Sequence, residues 1–140
     1  MAAPSVFECF ILDLGLAKHD FSTAVCKVAL TNVAPNMATN TVLADITQIA
    51  ASGGYPSGGV SIGALTWSET GGVTSLAAAL DAIFTATTGF GPFQWAILYN
   101  DSSASKSLIC AYDNGAAVST PAGQTHTVDL SATIFSGTAS

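Results

Sequence analysis

A chain of 140 residues with 49% hydrophobic and 9% charged side chains is long enough for one core, burying roughly two thirds of its unfolded surface without staples. Three basic residues stand against nine acidic ones, a net charge of −6. That balance excludes nucleic-acid binding by phosphate neutralisation and docking on an acidic membrane surface.

An ordinary globular domain is about 25% charged; here Ala, Ser, Thr and Gly fill the deficit. Either the exterior is a neutral, small-residue surface, or part of it rests against other subunits, since interface cores lose charge first. The expectation is a single β domain over residues 1–140.

Residues 5–16 open the chain with Phe7, Phe10, Ile11 and Leu14 at i, i+3, i+4 and i+7, the stripe of a helix. Pro4 suits its first turn and Gly15 its stop. Such a helix serves either as a lid on the open end of a β core or as an arm on a neighbour. Neither a basic leader nor a span-length apolar run is evident, because Glu8 and Asp13 interrupt the first apolar segment.

Residues 26–31 (CKVALT) form the first expected strand. Residues 32–41 (NVAPNMATNT) read as loop, because Asn, Thr and Pro compete with regular structure. Leu43, Ile46 and Ile49, three apart, suit a helical or 3₁₀ turn. The stretch 51–59 (ASGGYPSGG) is expected to be a flexible Gly-rich surface loop carrying an exposed Tyr55.

Residues 60–68 and 73–80 should pair as a hairpin about Thr70, Gly71 and Gly72. A short strand at 83–86 and a flexible link at 88–91 lead to the organising segment, residues 91–102 (GPFQWAILYNDS). There Phe93, Trp95, Ile97 and Tyr99 fall at period two, with small or apolar residues between them, as in an inner strand covered on both faces. Gly91 and Pro92 should end its ladder upstream.

A turn at 101–106 returns into an antiparallel strand at 107–112, which Asp113, Asn114 and Gly115 should end. Residues 118–120 suggest an edge piece. Val128, Leu130, Ala132 and Ile134 suggest a last strand within 125–135, with 136–140 a disordered tail. Many short strands with glycine-rich turns point to a mainly β fold, an antiparallel β-sandwich or jelly-roll-like domain with a short N-terminal helix.

Cys9, Cys26 and Cys110 are widely spaced in apolar contexts and read as reduced, buried thiols. Catalytic chemistry is hard to assemble. His19 and His126 each have an acid nearby (Asp20, Asp129), but no nucleophile elbow accompanies them. Nothing local would activate Cys26 or Cys110. Asp13 with Asp20, or Asp101 with Asp113, read as solvated turn acids. No metal-ligand spacing appears, and Gly53-Gly54 and Gly58-Gly59 lack the context of a phosphate cradle. The expectation is a non-enzyme without metal or cofactor.

Three runs in order, KHDFSTAVCKVALTNVAPN (18–36), VLADITQIAASGGYPSGG (42–59) and GPFQWAILYND (91–101), resemble a group of small tailed-bacteriophage virion structural proteins. That group's pattern is a short N-terminal helix, then HDF-S-D…KVAL, L-DI-EI…GY-GG and R-YAVLYND. Gln94 and Trp95 depart from its usual basic residue and Tyr, and Ala24 from its usual acid. The resemblance implies a capsid decoration (cement) protein on the virion exterior, made in the host cytoplasm. Its implied partners are the major capsid protein and itself, as a homotrimer. Two alternatives are a tail or tail-fibre adhesion component and a carbohydrate-binding β module. The nominated contact residues are Phe7, Phe10 and Ile11 of the first segment and Tyr55 and Pro56 of the glycine loop; as a counter-reading, the phenylalanines are core and Tyr55 a tolerated surface ring.

Overall fold

A computed structural model describes residues 1–139. The fold is mainly β and antiparallel, with one short helix. Its principal sheet runs β1-β8-β7-β2-β3, with β1 at Ser5–Val6, β2 at Cys26–Thr31, β3 at Val60–Gly63, β7 at Gly89–Asn100 and β8 at Leu108–Pro121. A three-stranded sheet runs β10-β5-β4, from β4 (Leu65–Thr70), β5 (Val73–Ala78) and β10 (Phe135–Thr138). A two-stranded ribbon pairs β6 (Ala82–Thr85) with β9 (Thr125–Val128).

The organising strand is central, as its residue pattern requires. β7 lies between β8 and β2, and Cys26 to Thr31 pair in register with Asn100 to Trp95. One face of the large sheet packs Val28, Leu30, Ala96, Leu98 and Tyr112 against Leu76 and Phe84 of the smaller sheets, which makes the fold sandwich-like. The opposite face holds Ala29, Ile97, Tyr99 and Leu108 under Phe7 and Ile46. Met37, Leu43 and Ile46 cover that second face, Leu43 from the 3₁₀ turn Leu43–Asp45 where a turn was expected.

The aromatic face is not continuous. Trp95, Ile97 and Tyr99 serve the second face, but Phe93 turns to the first. Ladder irregularities cause this: Gln94 alone stands opposite residues 114–117, between the pairs Trp95↔Asp113 and Phe93↔Val118. Bulges of this kind reverse which side a residue faces. A bulge between Leu98 and Tyr99 likewise sends Ile109 to the first face while Leu108 stays on the second.

Several boundaries differ from expectation, each because a neighbour offers backbone partners. The helix occupies Cys9–Gly15 (α1), not residues 5–16, because Ser5 and Val6 pair with Ala111 and Cys110 of β8. The ladder does not stop at Gly91-Pro92: β7 begins at Gly89, opposite Pro121. Asp113, Asn114 and Gly115 do not end β8, which continues to Pro121 and absorbs the edge piece. Residues 60–68 divide between two sheets, as β3 and β4. The final strand breaks after Val128 and leaves Ala132 exposed; Phe135–Thr138 then pair with β5, so the tail is ordered through these residues, while Ser140 lies outside the described residues.

The segment 51–59 is a clamp rather than a flexible loop. β3 pairs with β2 only as far as Val28, so the later half of β2 needs other partners. Ile49 donates its N–H to the Leu30 carbonyl at 3.1 Å, and the Leu30 N–H donates to the Tyr55 hydroxyl at 3.1 Å. Tyr55 is 2% exposed, its ring against Phe84 and Phe90. The glycines permit this approach: a Cβ on Gly59, at φ +79°, would stand 1.7 Å from the Val28 carbonyl oxygen.

Candidate interaction surface

Two of the conspicuous sequence runs meet at the end of β7. Asn100, buried, uses both amide hydrogens of Nδ2, donating to the Lys18 carbonyl at 3.3 Å and to His19 Nδ1 at 3.1 Å. Its Oδ1 accepts the Ser102 N–H at 3.0 Å. These partners fix the amide's orientation, so Nδ1 is the acceptor and the His19 proton sits on Nε2. The ring stacks on Phe21 at 5.3 Å and lies 5.5 Å from Phe10. Burial lowers the His19 pKa and holds it neutral, opposed by the charge of Asp13.

This junction is structural in its chemistry. A groove of about 460 Å³ runs beside it, between residues 17–24 and 100–105. Two of its hydroxyls serve the fold: Ser102 Oγ accepts the Val25 N–H, and Ser103 Oγ donates to the Asn100 carbonyl while accepting the Ser107 N–H. The thiols are not primed for nucleophilic attack: all three cysteines are free, and burial pushes Cys9 up to about 11 and Cys26 up to about 12. Among the described residues no group of three or more His, Cys, Asp or Glu side chains converges as metal ligands, and no helix is long and apolar enough to cross a membrane.

The charged side chains are used internally to an unusual degree. Lys18 pairs with Asp13, and Lys27 and Lys106 both pair with Asp101. Asp20, Asp45, Glu69, Asp113 and Asp129 accept backbone N–H groups in nearby turns, and Asp81 accepts that of Leu130 across the fold. Only Glu8 lacks a partner among the described residues. Hydrogen bonding to Gln94 and the Gly115 N–H keeps the Asp113 carboxyl below its ordinary value, and the Lys106 ammonium does the same for Asp101.

On α1 the usual arrangement of an amphipathic helix is inverted. The charged Asp13 turns inward and is 3% exposed, whereas Ile11, Leu12 and Leu16 are 62%, 64% and 58% exposed. Gly15, between Leu12 and Leu16, has open space where a side chain would be. Phe10 on the inner side anchors the helix against Phe21 and Phe135, and Trp67, half exposed, rests on the same two rings.

The nominated contact residues therefore divide. Ile11 and Pro56 are exposed; Phe7, Phe10 and Tyr55 are core residues and present no surface to a partner. Phe7, just after the edge strand β1, fills the second face, and Phe10, in α1, the first. Sequence reasoning missed Leu12 and Leu16. Part of their signal was present: the stripe of Phe7, Phe10, Ile11 and Leu14 left these apolar positions off the core side, but it also counted Ile11, which the structure turns outward. The molecule is thus a mainly β, sandwich-like protein whose most distinctive exposed feature is an apolar helix face. Comparison with protein-family models, curated proteins and solved structures gives no match.

Proposed function

We propose that this chain is a bacteriophage virion structural protein, a decoration protein that sits on the exterior of the head as a homotrimer and binds the major capsid protein lattice. The observation that carries the reading is the surface. Large apolar side chains (Ile11, Leu12, Leu16, Leu80, Ile83) stand exposed while the lysines and nearly all carboxylates are engaged within the chain. Such a surface favours contacts with other proteins that change little with salt. Many weak contacts of this kind, repeated over a lattice, hold firmly because each added subunit bridges neighbours already in place. The resemblance of residues 18–36, 42–59 and 91–101 to small phage virion proteins points the same way.

The test is to mix the purified chain with expanded empty capsids of the phage that encodes it and to image the particles. Regular, stoichiometric density on the head exterior is the expected result. Density confined to the tail tip would replace this reading with the adhesion component, and tight binding of a free oligosaccharide by unassembled chain would replace it with a carbohydrate module.

A further inference from the structure

We propose that the outward face of α1, formed by Ile11, Leu12 and Leu16, is the surface by which the chain docks, and that its occupant is a shallow apolar hollow with a cationic rim on the lattice protein. This rests on the virion reading and specifies its contact.

The first argument is the inverted helix. Turning a charged residue inward costs desolvation, which the pairing of Asp13 with Lys18 at 3.1 Å offsets. Placing Ile11 and Leu12 of this seven-residue helix, and Leu16 at its C-cap, in water forgoes the burial those side chains have available. The second cost is relieved if another surface covers the outer face.

The second argument concerns charge. Glu8, at the start of α1, is the acidic side chain without a partner among the described residues, so the docking face carries one uncompensated negative charge. A second copy of this chain cannot neutralise it well. Its lysines are already held by Asp13 and Asp101, and it brings a further Glu8 and a net charge of −6. A partner with lysine or arginine at the rim of an apolar hollow complements both features.

Size gives the third argument. A stable pairwise interface buries about 800 Å² per partner, over about 20–30 residues. Three side chains on a short helix fall far below that, so the face cannot sustain a dimer in solution by itself. It suits an array in which the same contact is repeated and each subunit is held at several points.

The experiment compares the parent chain, Leu12→Ser/Leu16→Ser and Glu8→Lys for binding to expanded empty capsids, with oligomeric state measured by light scattering. Because the altered side chains are exposed, the double variant should melt within about 2 °C of the parent. Its capsid affinity should fall by about tenfold or more, with its oligomeric state unchanged. Glu8→Lys should bind about threefold more weakly at ~50 mM salt, the gap closing near ~0.5 M. Parent binding matched by the double variant would overturn the docking face and leave the virion reading intact. Conversion of an oligomer to monomer by the double variant would make a second copy the occupant and overturn the proposal. Failure of the parent chain itself to bind capsids would overturn both.

Discussion

Replacing Tyr55 with Phe keeps the ring against Phe84 and Phe90 and removes one oxygen. That oxygen accepts the Leu30 N–H at 3.1 Å and donates to Gln48 Oε1 at 2.8 Å. Gln48 Oε1 retains the Gly58 N–H at 2.9 Å, so it is not orphaned. The Leu30 N–H is, in a site where Leu30 is fully buried. An unsatisfied buried donor costs about 1–3 kcal/mol. For a chain of this size each kcal/mol is worth about 2–4 °C, so a loss of ~2 kcal/mol lowers the melting midpoint by about 4–8 °C. Tyr55→Ser also removes the ring, a core loss of about 3–5 kcal/mol, and approaches the whole stability of a domain at about 5–15 kcal/mol. Pro56→Ser, on an exposed neighbour, should stay within about 0.5 kcal/mol of the parent. Urea and thermal unfolding of the three variants measure these differences. A Tyr55→Phe protein as stable as the parent would refute the clamp, and with it the claim that β2 depends on residues 48–59.

Further outcomes follow from the same geometry. Burial holds both His19 and His126 below their ordinary pKa of 6.5, so the unfolded chain takes up protons first as pH falls. The stability they contribute is therefore present above about 6.5 and lost as acid brings the pH down toward their folded values. The carboxylates of Asp101, Asp113 and Asp129, held below their ordinary 3.8, act in a lower window, their contribution disappearing as pH drops below that value. His19→Gln should thus flatten the dependence of unfolding free energy on pH between about 7.5 and 5; an unchanged slope would show that His19 is not the buried neutral group. Gly59→Ala should destabilise by more than about 3 kcal/mol because its Cβ meets the Val28 carbonyl as well as a strained φ. Gly123→Ala, with positive φ but open space, should lose only about 1–2 kcal/mol. Equal losses at the two positions, read from urea titrations, would remove the close approach of the clamp to β2.

Local pattern determined a good deal here. Alternation from Phe93 to Tyr99 identified a covered inner strand, Thr70-Gly71-Gly72 identified a hairpin turn, and the spacing of Leu43, Ile46 and Ile49 identified a helical or 3₁₀ turn, because each signal comes from residues close along the chain. Leu43–Asp45 is the 3₁₀ piece, while Ile49 pairs with Leu30. What depended on distant partners was not legible. Tyr55 looked exposed among glycines because the N–H it satisfies lies on Leu30, and the glycines that suggested looseness are there to let backbones touch. The face of Phe93 was set by an irregular ladder with β8, which no period along β7 could encode. Ile11 was legible as a contact candidate, whereas Phe7 and Phe10 fell to the core once β1 pinned the chain to β8. Composition alone settled how little charge the molecule carries. Asp20, Asp45, Glu69, Asp113 and Asp129 find backbone N–H groups within their own turns. Only the tertiary structure decided that Asp13 turns inward and that Asp81 and Asp101 meet Leu130 and Lys27, because those partners come together through space. It was the inward turn of Asp13 that set Ile11, Leu12 and Leu16 facing out.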